Sequence, residues 1–277
     1  MKTQYGFTRF DTLEEFKVWI AKQPKYKYTG LQVHHTALPD YSCFYKSNGK
    51  TEDELTRQNS MKSFHVNTNG WSDIAQHFTV FPNGKIVTGR RLSKTTAIGI
   101  KGWNSNKICV EIYGNFDKDV MTKEQKEAVI CLYGELCKKF GLTPSTSTIR
   151  CHAWFTAGGT YLGTYVAGKS AKTCPGTKFM GFGNTKAAIE NNFIPLIKNY
   201  IANCSTNSSQ FKPYIVRVKE DLNGREKASA SSKIVLVAPK GTAVTIVAEE
   251  YNGTTKWLKT KTGYYLSAKY CEFVRYV

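Results

Sequence analysis

The chain has 277 residues, of which 41% are apolar and 22% are charged, a balance that is typical of folded proteins and excludes a disordered chain. This length allows one large or two modest domains, and we expect two. The 39 basic and 21 acidic residues leave a net charge of +18, which favours a polyanionic partner such as nucleic acid, an anionic membrane or an anionic cell wall.

Capping boxes predict the starts of three helices. In each box, a Thr hydroxyl and an acidic or amide side chain three residues later can bond the first free amides of a helix. The pairs are Thr12 with Glu15, Thr51 with Glu54, and Thr122 with Gln125. In the third helix, apolar residues recur at intervals of three and four, and Gly141 follows as the predicted C-cap. A fourth helix is predicted from about residue 185 to 201, bent near Pro195.

Short β-type runs lie between these helices. They are "GLQVHHTAL" from Gly30, "HFTVF" followed by the turn "PNGK" and by "IVTG", and "KICVEIYG" from Lys107. Because helices and strands alternate, this part of the chain is predicted to form a sheet covered by helices, an α/β fold.

The composition changes after Ile201. The segment "ANCSTNSSQFKP" is polar, rich in small residues and ends in proline, as linkers do. Beyond it, short β-branched runs alternate with Gly, Asn and Pro, which predicts a small all-β barrel of about 65 residues. We therefore predict a first domain over residues 1–203, a linker over 204–212 and a second domain over 213–277.

The histidines and one cysteine supply a candidate metal site. His34 and His35 are neighbours in a strand, so their side chains point to opposite faces and at most one can easily serve a given site. His152 opens a Gly-rich loop that ends at Cys174 in "KTCPG". One strand histidine, His152 and Cys174 would give the three protein ligands that a catalytic zinc ion typically takes.

Five motifs together resemble one family. They are "LQVHHTAL", "NGWSDIAQHFTVFPNGKIVTGR", "ICVEIYGNF", "IRCHAWF" and "AKTCPG". Their order and setting are similar to those of the type 2 N-acetylmuramoyl-L-alanine amidases, which include phage lysins and peptidoglycan recognition proteins. The resemblance covers residues 31–176 and implies a mixed central sheet flanked by helices.

The resemblance also implies a reaction and its residues. His34, His152 and Cys174 would bind one zinc ion, Glu111 would take a proton from a zinc-activated water, and Lys172 would stabilise the oxyanion. The bond cut would be the amide between N-acetylmuramic acid and L-alanine of the peptidoglycan stem peptide. A carboxylate in an apolar strand such as Glu111 is costly to bury, which marks it as a candidate even without the resemblance.

Residues around this set are expected to line the substrate groove. Gln76 stands in "DIAQHF" where many family members have a tyrosine, so the roles of proton acceptor and charge stabiliser shift to Glu111 and Lys172. His65 and His77 match family positions outside the metal set and are expected to be structural or groove-lining.

Four aromatic residues lie beside the motifs. Their faces could stack on sugar rings or on the stem peptide, and packing in the core is the equal alternative. They are Trp71, Trp103, Trp154 and Phe155, of which Trp71 and Trp103, with Gln76, are the substrate-binding candidates.

The second domain resembles the bacterial SH3-like domains that follow catalytic domains in lysins. The likeness rests on an "LNGR" turn and a "KGTAVTI" strand, and it implies a role in anchoring the enzyme to the cell wall. The expected partners are therefore peptidoglycan and anionic wall polymers, with no nucleic acid.

The sequence also bears on the compartment. No apolar run is long enough to cross a membrane, and the N-terminus lacks the apolar centre of a signal peptide. We expect synthesis in a bacterial cytoplasm, no membrane insertion and release as a phage or prophage lysin. The eight cysteines, at positions 43, 109, 131, 137, 151, 174, 204 and 271, are expected to be mostly free thiols.

Three alternatives stay open at this point. A non-catalytic peptidoglycan receptor is the nearest, since family members that lack the cysteine ligand bind without cutting. A nucleic-acid-binding protein would fit the charge of +18 and the small barrel. A cysteine hydrolase built on Cys174 and His152 is the third, although Pro175 suits a nucleophile poorly.

Overall fold

The computed structural model describes residues 1–93, 99–207, 211–253 and 255–277. The chain divides into two compact units, Met1–Ala202 and Asn203–Val277. Over the described ranges, each unit is built on one seven-stranded sheet. No helix in these ranges combines the length and the apolar character needed to cross a membrane.

The first unit alternates strands and helices as the sequence predicts. Its elements are β1 (Lys2–Gln4), β2 (Phe7–Phe10), α1 (Leu13–Ala21), β3 (Gly30–His35), α2 (Tyr41–Phe44), α3 (Glu54–Ser63), β4 (Phe78–Val80), β5 (Ile86–Thr88), β6 (Lys107–Ile112), α4 (Lys123–Phe140), β7 (Ile149–Cys151), α5 (Lys186–Ala188) and α6 (Ile194–Asn207). The strand order is β1-β2-β5-β4-β6-β3-β7. Strands β4, β6, β3 and β7 are parallel, whereas β5, β2 and β1 join antiparallel, which confirms the mixed sheet.

Alternation along the central strands separates two faces of this sheet. Leu31 and Val33 of β3 and Val110 of β6 are fully buried and belong to the cluster that includes Leu132 and Leu136 of α4. His34, which follows Val33, and Glu111, which follows Val110, point to the opposite face. One face of the sheet therefore packs on α4, and the other face carries His34 and Glu111 as well as a second buried cluster that includes Leu55 and Met61 of α3.

Two of the predicted helix starts are confirmed. The Thr12 hydroxyl accepts a hydrogen bond from the Glu15 amide at 3.2 Å, and the Thr122 hydroxyl accepts one from the Gln125 amide at 3.1 Å. Gly141 ends α4 in the left-handed conformation, with φ of 66°. These signals depend only on local chemistry, which is why the sequence reveals them.

The predicted cap of α3 is wrong. Asp53, not Thr51, precedes the helix, and its Oδ1 accepts from the Thr56 amide at 2.8 Å. Thr51 instead forms an isolated β-bridge with Tyr45. A carboxylate beside the positive end of the helix is a strong acceptor, so the cap falls at the aspartate.

The fourth predicted helix is segmented and longer than expected. The Thr185 hydroxyl caps α5 through the Ala188 amide at 3.1 Å, and a π-helical turn, Ile189–Phe193, links α5 to α6. The wide turn lies just before Pro195, which has no amide hydrogen to continue the α-helical ladder. Helix α6 continues past Ile201 to Asn207 and so enters the segment predicted as a linker.

The second unit is entirely antiparallel. Its strands are β8 (Tyr214–Val218), β9 (Leu222–Arg225), β10 (Ile234–Ala238), β11 (Ala243–Asn252), β12 (Thr255–Thr260), β13 (Tyr265–Ser267) and β14 (Cys271–Tyr276), in the order β10-β9-β13-β12-β11-β8-β14. Val216, Ile246 and Leu266 lie in its core. The "LNGR" segment, predicted as a turn, is strand β9: a side chain at Gly224 would lie 2.8 Å from the Tyr264 ring, so only glycine fits there.

Seven cysteines are free thiols, as expected. They are Cys43, Cys109, Cys131, Cys137, Cys151, Cys174 and Cys271. The prediction for Cys204 concerns a side chain outside the described part of the chain.

Candidate active site

The three predicted metal ligands meet at one edge of the first sheet. His34 is near the end of β3, His152 directly follows β7, and Cys174 lies in the loop that precedes Pro175. Because β3 and β7 are neighbouring parallel strands, their carboxyl ends lie at the same edge. The ligand atoms of the three side chains lie within 4.8 Å of one another. The His34 and His152 ring centroids are 5.0 Å apart, and Cys174 Sγ is 3.6 Å from His34 Nδ1.

The backbone holds Cys174 in place. The Ala153 amide donates to the Cys174 carbonyl at 2.7 Å, so the loop is tied to the residue that follows His152. The His35 amide donates to Cys174 Sγ at 3.3 Å. Cys174 is thus positioned by backbone hydrogen bonds from the residues that follow the other two ligands, His152 and His34.

Asp117 fixes the same turn from outside. Its carboxylate accepts from the Thr173 hydroxyl at 2.6 Å and from the Thr177 amide at 2.7 Å, on either side of the cysteine. At Gly176, φ is +109° and an added Cβ would lie 2.5 Å from the Phe116 carbonyl carbon, so the Pro-Gly turn requires glycine. These contacts explain why the "TCPGT" segment folds tightly.

His35 faces away from the cluster. Its Nδ1 accepts a hydrogen bond from the Phe116 amide at 3.1 Å, and its ring centroid is 6.1 Å from that of Phe116. Alternation in β3 places His34 on the cluster side instead, in agreement with the choice that the family resemblance implies.

The protonation states of the cluster suit a cation. Burial lowers the pKa of His34, and it lowers the pKa of His152 to about 4, so both imidazoles are neutral and can donate a lone pair. Burial, and next the Glu111 carboxylate, raise the pKa of the Cys174 thiol above its usual range. A bound cation would offset that cost and hold the thiolate.

Glu111 lies beside the cluster. It is paired in register with His34 across β3 and β6, so both side chains are on the same face. Burial raises the pKa of Glu111 to about 7, and the Lys172 ammonium opposes this rise. A carboxylate with such a pKa can both accept and return a proton near neutral pH.

Lys172 is exposed and lies on the same cavity, two residues before Cys174. After burial itself, its charge is the largest contribution to the lowered pKa of His152. The ammonium is therefore close enough to act on charge that forms in the cavity.

The cluster and Glu111 line a cavity of about 680 Å³. Its lining also includes Leu38, which is 76% exposed, Phe64, which is 56% exposed, and Trp71. Apolar walls around a few convergent polar groups are typical of ligand sites.

Gln76 and Trp71 both line this cavity, in different ways. Trp71 packs on the His65 ring at 4.8 Å, and His65 Nδ1 accepts from the Ala75 amide at 3.2 Å. Gln76 is fully buried and donates to the Thr79 hydroxyl at 3.0 Å. Its Oε1 has no hydrogen-bond partner within the described ranges. Gln76 is thus part of the wall rather than an exposed contact.

The other predicted aromatic contacts lie elsewhere. Trp103 stacks on Phe155 at 6.2 Å, and the Arg150 guanidinium lies 4.8 Å from its ring. Trp103 is absent from the described residues that line the cavity, so its contact with substrate stays a prediction. Trp154 is fully buried and donates to the Asn184 carbonyl at 2.7 Å, and Phe155 is also in the core.

His77 is a buried structural residue. Its Nδ1 accepts from the Cys109 amide at 3.0 Å, and burial lowers the pKa of the ring to about 3.

Two residues that help to hold the ligands in place were missed. Gln32 Oε1 is 3.3 Å from His34 Nε2, and Asp117 fixes the cysteine turn. A polar residue two positions before His34 shares its face by alternation, so the sequence carries a signal for Gln32. For Asp117 there is none, because its partners are more than fifty residues away.

Comparisons with known proteins agree on one family. The sequence model of the N-acetylmuramoyl-L-alanine amidases matches residues 24–177, more than half of the chain. Peptidoglycan-recognition protein SD of Drosophila simulans is 26% identical over 113 residues, which are 40% of this chain and 59% of the relative. An N-acetylmuramoyl-L-alanine amidase of Sus scrofa is 31% identical over 101 residues, which are 36% of this chain and 16% of the relative. The chain thus spans less than two thirds of the length of either.

Solved structures give similar matches. Drosophila PGRP-LB aligns with a TM-score of 0.41 and 19% identity, over 56% of this chain and 76% of the other. An N-acetylmuramoyl-L-alanine amidase from Clostridium intestinale aligns with a TM-score of 0.37 and 20% identity, over 55% of this chain and 78% of the other.

Proposed function

Because the chain belongs to the N-acetylmuramoyl-L-alanine amidase family, we propose that it hydrolyses the amide between N-acetylmuramic acid and L-alanine of the peptidoglycan stem peptide. The observation that carries this proposal is the meeting of His34, His152 and Cys174 beside Glu111 in the lining of one cavity. A binding site alone would not need a metal donor set next to a carboxylate with a raised pKa.

The donor set fits a zinc ion. Two neutral imidazoles and one thiolate are ligands that zinc accepts, and three protein ligands leave a fourth position for water. When bound there, zinc would lower the pKa of that water and polarise the amide carbonyl.

Glu111 and Lys172 have separate roles in the reaction. Glu111 takes the proton of the attacking water and then gives it to the leaving nitrogen of L-alanine, as its pKa of about 7 allows. The Lys172 ammonium stabilises the negative charge that develops on the carbonyl oxygen. A C–O bond forms, the C–N bond breaks, and the products are a lactyl carboxylate and a free amine.

Product analysis tests this reaction. Zinc-loaded protein incubated with soluble muropeptides should release new L-alanine amino termini and no new reducing sugar. Reducing ends would indicate a glycosidase instead. Tight binding of the muropeptide without any cleavage would favour the alternative of a non-catalytic receptor, which the peptidoglycan-recognition proteins among the relatives keep open.

For the second unit we propose an SH3-like role in binding the cell wall. Its small antiparallel sheet suits such a domain. From residue 211 onward it carries 12 basic and 6 acidic residues, so its net charge is 12 − 6 = +6. This charge favours anionic wall polymers as its partners.

A further inference from the structure

Gln32 lies beside His34 and is not among the described residues that line the cavity. It is on β3, two positions before His34 and on the same face, and its side chain is fully buried. Its Oε1 is 3.3 Å from His34 Nε2. A buried polar side chain needs partners for both ends of its amide, and these partners decide which end faces the histidine.

The surrounding residues fix the orientation of this amide. Gln32 Nε2 lies 2.7 Å from the Trp103 carbonyl and 3.0 Å from Asn104 Oδ1. A backbone carbonyl can only accept, so the nitrogen of Gln32 must face Trp103. Asn104 Oδ1 itself accepts from the Gly99 and Ile100 amides, at 3.1 and 2.9 Å, which fixes that oxygen as well. The Gln32 oxygen is therefore left facing His34.

This orientation decides where His34 carries its proton. The amide oxygen can only accept, so His34 Nε2 must donate, and in the neutral ring Nδ1 then bears the lone pair. Nδ1 is the atom that lies 3.6 Å from Cys174 Sγ, toward the other ligands.

Close packing keeps the pair together. A Cβ on Gly99 would lie 2.2 Å from Gln32 Oε1 and 2.9 Å from His34 Nε2, so the backbone closes directly over their hydrogen bond. The Tyr133 hydroxyl donates to the Gln32 carbonyl at 2.9 Å and ties this part of β3 to α4.

We propose that Gln32 is a positioning residue, which holds His34 as the Nε2–H tautomer and presents Nδ1 to the metal. The proposal rests on the zinc role proposed above. Hydrogen-bond partners of metal-bound histidines typically change metal affinity 10–100-fold when they are removed. The carbon chain of Gln32 is also buried, so the test must separate the effect of losing the amide group from the effect of losing side-chain volume.

The first measurement needs neither metal nor mutation. In metal-free protein labelled with ¹⁵N, the long-range nitrogen–proton correlations of His34 should show the proton on Nε2. A proton on Nδ1 overturns the proposal. In Gln32→Met, which keeps the length of the side chain but removes the acceptor, the two tautomers should mix.

The second measurement is zinc affinity by competition with a chromogenic chelator. Gln32→Met should bind zinc about 10–100-fold more weakly than the wild type. The matched control is Gln125→Met: Gln125 is equally buried, and its amide donates to the Val80 and Tyr113 carbonyls, both at 2.9 Å, and accepts from the Tyr41 hydroxyl, none of which belongs to a candidate metal ligand. This control should keep wild-type affinity even if it loses stability.

The two measurements separate the possible failures. If Gln32→Met and Gln125→Met bind zinc equally well, Gln32 is only a packing residue and the proposal is wrong. If the wild type binds no zinc at all, the proposed cofactor fails, while the tautomer of His34 still decides whether Gln32 positions the ring.

Discussion

His34 and Glu111 are directly paired in register on the neighbouring parallel strands β3 and β6. A ligand of the candidate metal site and the candidate proton acceptor therefore have a separation set by the ladder of the sheet rather than by loops. The remaining ligands, His152 and Cys174, come from segments that backbone hydrogen bonds tie to this edge. The sheet thus fixes His34 and Glu111 relative to each other, and hydrogen bonds hold the segments of His152 and Cys174 next to them. Such a framework suits a preorganised site.

Cys174→Ser should lose both zinc and hydrolysis. A serine hydroxyl is a far poorer anion than a thiolate, so one of the three ligands is removed. Metal content after dialysis and release of L-alanine amino termini measure the two effects. Cys137→Ser is the control, because Cys137 is as buried but lies in α4. Stoichiometric zinc with full activity in Cys174→Ser would contradict the ligand set.

His34→Ala and His35→Ala form a second matched pair. They are adjacent in sequence but face opposite sides of β3, and His35 bonds the Phe116 amide instead of the cluster. We expect His34→Ala to lose zinc and His35→Ala to keep it, with a lower thermal midpoint because the Phe116 amide loses its acceptor. The reverse pattern of metal content would exchange the two roles.

Glu111→Gln should keep zinc and the fold but lose about 10²–10⁴-fold in kcat. The amide is nearly isosteric with the carboxylate and cannot accept the proton of water. Steady-state cleavage of a soluble muropeptide measures the loss, and metal content and thermal melting serve as controls. A variant that cuts at the wild-type rate would require another proton acceptor.

Acid should destabilise the first unit partly through His77. Burial holds the folded-state pKa of His77 at about 3, whereas an unfolded histidine titrates near 6.5. Between these values the unfolded chain binds more protons, so this contribution is complete above about pH 6.5 and is lost as pH falls toward 3. The slope that it adds is at most about 1.4 kcal/mol per pH unit.

His77→Asn isolates this contribution to the free energy of unfolding. The asparagine oxygen can still accept from the Cys109 amide, as His77 Nδ1 does, but it does not titrate. Denaturant melts at several pH values should show a shallower loss of stability between pH 6.5 and 3 than in the wild type. Parallel curves for the two proteins would mean that His77 does not stay neutral in the folded state.

The sequence predicts the features of the structure that depend on residues close together in the chain. The cap pair Thr122 and Gln125, the glycine after α4 and the alternation that separates His34 from His35 depend on neighbours in the chain. His152 and Cys174 are far from His34 in the chain, and only the resemblance to the family motifs assigns the three residues to one site.

The parts that it does not predict depend on tertiary packing. Trp71 and Trp103 are both tryptophans in loops beside motifs, yet Trp71 lines the cavity and Trp103 stacks on Phe155. Nothing local distinguishes them. Gln76 is likewise turned into the wall by Thr79, a partner whose position depends on the sheet.

The last prediction concerns the division of labour between the two units. Each unit has its own buried core, so each should fold when separated. Since α6 runs to Asn207, a fragment of residues 1–207 keeps this helix whole. We expect this fragment to retain zinc and to cleave soluble muropeptides as fast as the full chain, but to clear intact cell walls more slowly.

The complementary fragment, residues 211–277 fused to a fluorescent reporter, should bind purified cell walls. Its charge of +6, from 12 basic and 6 acidic residues, will contribute at low salt. At roughly 0.5 M salt the screening length is only about 4 Å, so binding that persists there requires a specific contact, whereas binding that disappears is electrostatic only. The same reporter without the fragment is the control. The anchoring role of the second unit is refuted if the fusion does not bind the walls while residues 1–207 clear them as fast as the full chain. The first unit would then bind the cell wall without help from the second.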